Sequence, residues 1–207
     1  MSTTFDVIPT SRIFVTFGEF LSLAEQHLGE FLKGIGVNAS LTIRAELVGE
    51  IRRDFQPHEL VCWPENCHAW FSIDGLAGGT DVYCRSIHDP PPELKKEEDI
   101  AWWKGNHDPW WLLEEIICSP NKPPNLEQMI VQAKKLDRRW NFRRSMGQPA
   151  IINLTYGLLA ASLAELTGGL VSSGDSAWCH LRFPATSEEF FTWYFRPGLA
   201  LEHDKAD

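Results

Sequence analysis

The densest group of residues that could do chemistry is Cys62, Cys67 and His68, two thiols and an imidazole close together in the chain. Zinc is usually held by four such ligands, and a C-x4-C spacing suits one pair of them. The candidates for a second pair are Cys84, Cys118, Cys179 and His180. The last two are adjacent, so on a strand their side chains point to opposite faces and do not easily share a metal. The sequence therefore favours buried thiols over a zinc site.

Other kinds of catalytic site receive weaker support. A nucleophilic thiolate needs an imidazole within reach, but the five cysteines and seven histidines show no spacing that singles out one pair. The glycine-rich segment from residue 75 to residue 80 lacks the lysine of a P-loop and precedes a strand pattern, which favours a flexible hairpin. A small-molecule enzyme with Cys, His and carboxylate groups in a cleft is the alternative function. No cofactor and no metal are expected.

An acidic and tryptophan-rich segment lies between two proline-rich breaks, at residues 89–92 and 122–124. Neighbouring carboxylates on a helix are separated by about 100° each, so they do not converge on a metal. A solvated acidic face is the ordinary interpretation, whereas carboxylates beside aromatic anchors would suit a basic protein partner. The candidate binding residues are Glu93, Glu97, Glu98, Asp99, Trp102, Trp103, Trp110, Trp111, Glu114 and Glu115.

The overall charge of the chain also favours a basic protein partner. The formal net charge is −9, from 28 acidic and 19 basic residues. Such a balance disfavours binding to nucleic acid, whose phosphates would be repelled, and suits a partner with a basic face. Four arginines at positions 138, 139, 143 and 144 are expected to pair with carboxylates of the same chain rather than with nucleic acid.

The cysteine pattern and the N-terminus predict a cytoplasmic protein. Five scattered cysteines do not suggest a secreted disulfide framework. Residues 1–10 show neither the basic nor the apolar region of a signal peptide. No run of about 18 continuous apolar residues is present, so no contact with a membrane is expected.

Helical periodicity predicts three long helices. Thr16 and Glu19 form a capping box for the first, which extends to about residue 33. The second is expected over Asn125–Met146, with its arginines near the C-terminus where they suit the helix macrodipole. The third begins near residue 150 and is stopped by Gly168 and Gly169.

Alternating or β-branched runs predict seven strands. They are Phe5–Ile8, Arg12–Val15, Ser40–Val48, Trp70–Ile73, Asp81–Ile87, Leu170–Ser172 and Ala177–Phe183. Strands and helices occur in blocks, without regular βαβ alternation. We therefore predict an α+β fold with an antiparallel or mixed sheet and helices packed on one side. Residues 1–207 are expected to form a single domain, with 89–124 as a helical, Trp-rich insertion or subdomain.

The last third of the chain carries a family resemblance. Its motifs are Leu163–Gly169, then Ser173-x-Asp175-x-Ala177-Trp178, and then Phe190 with Tyr194-Phe195-x-Pro197, after a Thr186/Glu189 capping box. This pattern resembles the C-terminal portion of bacterial immunity proteins, which neutralise toxins of type VI secretion and related contact-dependent systems. The resemblance implies a small acidic cytoplasmic protein that blocks one cognate toxin. It carries over no contact residues.

The sequence-based expectation is therefore a non-enzymatic immunity protein. Its acidic and aromatic surface would fill the basic cleft of the toxin, and charge complementarity would speed association. A small-molecule enzyme is the alternative, and a structural or adaptor subunit is a third.

Overall fold

A computed structural model describes residues 2–86, 96–106, 123–145, 147–173 and 182–195. Within these ranges the chain forms eight strands and five helices. The strands are β1 (Ser2–Ile8), β2 (Ile43–Val48), β3 (Arg53–Asp54), β4 (His68–Ile73), β5 (Thr80–Arg85), β6 (Arg139–Ser145), β7 (Leu170–Ser172) and β8 (Ala185–Thr186). The helices are α1 (Phe17–Gly34), α2 (Glu97–Asn106), α3 (Leu126–Leu136), α4 (Ala150–Thr167) and α5 (Ser187–Tyr194).

The strands form one antiparallel sheet in the order β3-β2-β4-β5-β6-β1-β7-β8. Strand β6 lies near the middle, where it pairs with β5 on one side and β1 on the other. Successive side chains of a strand point to opposite faces, so Trp140 and Phe142 enter the core while Asn141 and Arg143 face the other side. The prediction of an α+β fold with an antiparallel sheet is confirmed.

Helices α1, α4 and α5 pack on the core face of the sheet. The Phe5 ring of β1 stacks on Tyr156 of α4 at 4.6 Å and meets Phe190 of α5 edge-on at 5.0 Å. Helix α3 contacts the opposite face, where its Ile130 joins Ile8 and Leu170 in a small separate cluster. The core is therefore built mainly between the sheet and the three helices of one layer.

Helix α4 is long and apolar enough, by length and composition, to cross a membrane, and no other helix in the described ranges is. Its 18 residues have a mean hydropathy of 1.4, and 78% of them are buried inside the protein. A helix that is apolar on all sides and covered by a sheet and two other helices is a core helix.

Capping determines where three helices begin or end. Thr16 and Glu19 make the predicted capping box at the start of α1, and Thr186 and Glu189 make the second one at the start of α5. Gly168 adopts a left-handed conformation, with φ of 56°, immediately after α4. These three sequence-based predictions are confirmed, since short-range capping patterns depend on neighbouring residues alone.

The prediction of one helix over Asn125–Met146 is wrong. Helix α3 stops at Leu136 because Asp137 takes a left-handed conformation with φ of 43°, and the chain continues as β6. Trp140 happens to continue the helical spacing, but Trp140 and Phe142 also alternate as a strand requires. Two neighbouring strands supply hydrogen-bond partners for β6, which a local pattern does not reveal.

Other boundaries differ less. Residues 12–15 are not a strand; Ser11 N donates to Thr167 O at 3.0 Å, which ties this loop to the end of α4. The other strands begin or end within three residues of the predicted limits. The predicted strand Ala177–Phe183 lies mostly outside the described residues, as does most of the predicted insertion 89–124.

Gly157 of α4 offers a test of how closely α4 and α5 pack. A Cβ atom built there would lie 2.0 Å from the ring of Tyr194, whose hydroxyl donates to Asn153 O at 2.6 Å and so holds the ring in place. We expect Gly157→Ala to lower the free energy of unfolding by about 1–3 kcal/mol, measured by urea titration. Gly29→Ala in α1, with open space around the site, is the matched control and should leave stability equal or higher by up to about 1 kcal/mol. Equal effects of both substitutions would contradict this packing.

Candidate functional site

Helix α2 carries the described part of the predicted binding segment. Glu97, Glu98 and Asp99 lie exposed in its first turn, and Trp102 is 60% exposed. Trp103 belongs to the same helix. The remaining predicted binding residues lie outside the described residues: Glu93, Trp110, Trp111, Glu114 and Glu115.

The spacing on α2 brings acid and aromatic side chains to one side. Glu98 and Asp99 precede Trp102 by four and three positions, the separations at which helical side chains are neighbours. Acidic residues in the first turn also favour the helix, since the macrodipole is positive there. Lys96 approaches Glu98 only to 4.0 Å in solvent, a contact of little energetic value. In the ranges that the structure describes, no other helix or strand packs extensively against α2.

The face of the sheet opposite α1 and α4 carries a second polar group, centred on Tyr83 of β5. The guanidinium groups of Arg85 and Arg143 lie 5.0 and 5.3 Å from the centre of its ring, and the His68 ring stacks on it at 5.3 Å. Cation–π contacts of this kind are worth about 0.5–1 kcal/mol each at exposed positions.

Asp81 fixes this group electrostatically. Its carboxylate accepts from Arg143 Nη2 at 2.6 Å and lies 3.6 Å from His68 Nε2, while Arg143 Nη2 also donates to the Tyr83 hydroxyl at 3.1 Å. The Asp81 side chain is only 14% exposed. The arrangement is a structured polar surface in which the charge of Asp81 is paired with that of Arg143.

The arginine cluster is distributed over several partners. Arg143 pairs with Asp81 as described, and the buried Arg144 donates from Nε to Thr3 Oγ1 at 3.2 Å. Arg139 lies on β6 opposite Arg85 of β5. Arg138 instead approaches two thiols. Arg143 therefore pairs with a carboxylate of the same chain, as the sequence predicts.

The structure does not bring together the candidate group Cys62, Cys67 and His68, and Cys62 is exposed rather than buried as the sequence favoured. Cys67 Sγ packs against Gly49, and His68 turns to Asp81 on the outer face of the sheet. Cys62 approaches Cys84 instead, and no group of three or more metal-ligating side chains occurs in the described part of the chain. Cys118 and Cys179 lie outside that part.

Arg138 joins Cys62 to Cys84. Its Nη1 atom donates to both sulfur atoms, at 3.1 Å in each case. Cys62 is exposed in the loop after β3, whereas Cys84 is buried near the C-terminal end of β5. The loop is held from both sides of Val61, whose N donates to Val15 O and whose carbonyl accepts from Trp140 Nε1, both at 2.8 Å.

The two thiols titrate differently. The hydrogen bond from Cys84 and the charge of Arg138 lower the pKa of Cys62 to about 6. The same hydrogen bond, together with burial, raises the pKa of Cys84. Cys62 therefore loses its proton more readily than Cys84. The pair was not predicted from the sequence, because its members are 22 positions apart and the sequence pattern assigned Arg138 to a helix.

Two grooves on the described surface are lined by neither a cysteine nor a histidine. One lies along α3, and the other lies between α4 and α5. For the alternative of a small-molecule enzyme, the Cys62–Cys84 pair is therefore a reactive feature, but the pair does not lie in either of these grooves.

Comparison with known proteins assigns no family. No family model matches the chain, and neither a curated protein nor a solved structure matches it.

The half-buried Asp81–Arg143 ion pair should matter more for stability than an exposed pair on the same sheet. Asp81→Asn leaves Arg143 with a weaker acceptor, and we expect the free energy of unfolding to fall by about 1–2 kcal/mol. Asp74→Asn, which disrupts the pair with the 65% exposed Arg44, is the control and should cost less than about 1 kcal/mol. Urea titration at low and high salt measures both. A larger loss for Asp74→Asn would contradict this ranking.

Proposed function

We propose that this chain is an immunity protein that binds a cognate antibacterial toxin and occludes its active site. The observation that supports this proposal is the first turn of α2, where Glu97, Glu98 and Asp99 are exposed beside an exposed Trp102. The resemblance of the C-terminal segment, roughly 45 residues, to immunity proteins supplies the class of partner. We further propose that the protein acts in the cytoplasm, without a cofactor, and binds neither nucleic acid nor a membrane.

Exposure of both residue types supports a binding role for α2. A large aromatic side chain in solvent has apolar surface to bury, and Trp is among the residues that most often dominate binding energy. Three carboxylates in solvent attract a basic surface over a distance of about one Debye length, near 8 Å at physiological salt. The excess of acidic residues over the whole chain adds a long-range component of the same sign.

The mechanism follows from the charge of the target. A toxin that cuts nucleic acid must itself present a basic cleft, because its substrate is a polyanion. An acidic helix that enters such a cleft competes with substrate for the same cations. Charge complementarity accelerates association, and burial of Trp102 slows dissociation. The protein needs no chemistry of its own for this action.

Charge reversal on α2 tests the electrostatic step. The variant Glu97→Lys/Glu98→Lys/Asp99→Lys should associate with the product of the adjacent toxin gene about 10–100 times more slowly at low salt, measured by surface plasmon resonance. The control is Glu30→Lys/Glu50→Lys/Glu65→Lys, at three exposed positions outside α2. Both variants change the net charge from −9 to −3, so only the position differs. Equal association rates would remove α2 from the interface.

Truncation of the aromatic side chain tests the anchoring step. Trp102→Ala should cost about 2 kcal/mol of binding free energy, mostly as faster dissociation, and should weaken protection of cells that express the toxin. Phe14→Ala removes another exposed aromatic side chain, 70% exposed, and should leave the affinity unchanged. If no product of an adjacent gene is both toxic and bound by this chain, the immunity proposal itself fails.

A further inference from the structure

We propose that Cys62 and Cys84 form a peroxide-reactive dithiol site, in which Cys62 is the nucleophile, Cys84 the resolving thiol and Arg138 the group that positions and activates them. This proposal is independent of the proposed immunity function. It rests on three side chains from separate parts of the chain that converge on one point.

Geometry supports the pairing. Because both sulfur atoms lie 3.1 Å from the same Arg138 nitrogen, they are no further apart than twice that distance. A disulfide needs a sulfur–sulfur separation of about 2.05 Å. Cys62 lies in an exposed loop, so its side chain can cover the remaining gap, whereas Cys84 is fixed within β5.

The guanidinium group of Arg138 also favours thiolate chemistry over metal binding at this site. A cation is already present between the two sulfurs, so a metal ion placed there would be repelled. The same positive charge stabilises a thiolate, which is the form that attacks electrophiles. An exposed thiolate beside a second thiol is the arrangement found where cysteines respond to oxidants. The low pKa of Cys62 and the raised pKa of Cys84 agree with these two separate roles.

The position of Arg138 depends on the local fold. Asp137, in its left-handed conformation, ends α3 and turns the chain into β6, and its side chain accepts from Ser86 Oγ at 2.8 Å. Ser86 follows β5, which carries Cys84. The turn that delivers Arg138 is therefore attached to the strand that delivers the buried thiol.

The proposed reaction consumes one hydroperoxide. The Cys62 thiolate attacks the terminal peroxide oxygen; the S–O bond forms, the O–O bond breaks, and the leaving alkoxide takes a proton from solvent. Cys84 then loses its proton and attacks the sulfenic sulfur of Cys62, so that the disulfide forms and hydroxide leaves as water. The two thiols lose two electrons, and the peroxide is reduced to an alcohol and water, or to two waters when it is hydrogen peroxide.

Peptide mapping tests the product. Reduced protein is treated with equimolar hydrogen peroxide, the remaining thiols are alkylated, and the digest is analysed by mass spectrometry. Trypsin alone leaves Cys62, Cys67 and Cys84 in one peptide, residues 54–85, so proteases that cut after Glu59 and Glu65 and before Asp74 and Asp81 are added. We expect the peptide 60–65 linked to 81–85, with Cys67 alkylated. A disulfide through Cys67, or full alkylation of Cys62 and Cys84, overturns the proposal.

Substitutions separate the two thiols. Cys84→Ser keeps a hydrogen-bond donor beside Cys62 but removes the resolving sulfur, so a sulfenic acid should accumulate at Cys62 and be trapped by dimedone. Cys62→Ser should leave Cys84 unoxidised, and Cys67→Ser is the control that should form the disulfide as before. Circular dichroism verifies that each variant folds. Disulfide formation that is unchanged in Cys62→Ser, or no dimedone adduct in folded Cys84→Ser, contradicts the assigned roles.

Arg138 is tested by a pH profile. The rate of alkylation of Cys62 should rise with pH around a midpoint of about 6 in the unsubstituted protein. Arg138→Met should move that midpoint upward by about 1–3 pH units, and Arg138→Lys, which keeps the charge, should restore most of the shift. A purely structural role for Arg138 would change the rate without moving the midpoint, and that result would overturn its activating role.

Discussion

The pairing of β6 with both β5 and β1 is the constraint on which the rest of the structure depends. It places Trp140 and Phe142 in the core and sends Asn141 and Arg143 to the opposite face, because side chains alternate along a strand. Through Trp140, β6 also holds the loop at Val61, which carries Cys62. The aromatic packing beneath the sheet, the Tyr83 group on its other face and the buried Cys84, which is in register with Trp140 on the core face, are arranged around this one strand.

A single strand therefore separates two environments of different character. Beneath it, Phe5 and Tyr156 stack in a layer that buries α4 almost completely. On the other face, Asp81 and Arg143 hold Tyr83 and His68 in a charge-balanced group. The acidic charge that we associate with binding lies elsewhere, on α2, where the carboxylates of the first turn are exposed. Stability and the proposed recognition thus depend on different parts of the molecule.

The Cys62–Cys84 pair lies beside this framework. Its exposed member belongs to a loop, and its buried member belongs to a strand whose position is fixed by its neighbours. Such an arrangement combines a thiol that solvent reaches with one that is protected until its partner reacts. It gives a chain with a proposed binding function a second, chemically distinct property.

Features that depend on short-range interactions were predicted from the sequence, whereas features that depend on long-range contacts were not. The capping boxes at Thr16 and Thr186, the stop at Gly168 and the α+β fold were predicted correctly, since the patterns that indicate them involve residues within a few positions of one another. Residues 139–145 were assigned to a helix because Trp140 satisfies the helical and the strand periodicity alike. The acidic residues Glu97, Glu98 and Asp99 were identified from the sequence, where charge is explicit, but the helix α2 that carries them was not predicted.

The sequence by itself determined the local starts and stops, the apolar faces and the overall negative charge. Only the tertiary structure decided that β6 is a strand, that Cys62 meets Cys84 rather than Cys67, and that Arg138 lies between them. The physical reason is that strand pairing and side-chain convergence join residues far apart in the chain. The free energy of those contacts exists only once the whole sheet has formed.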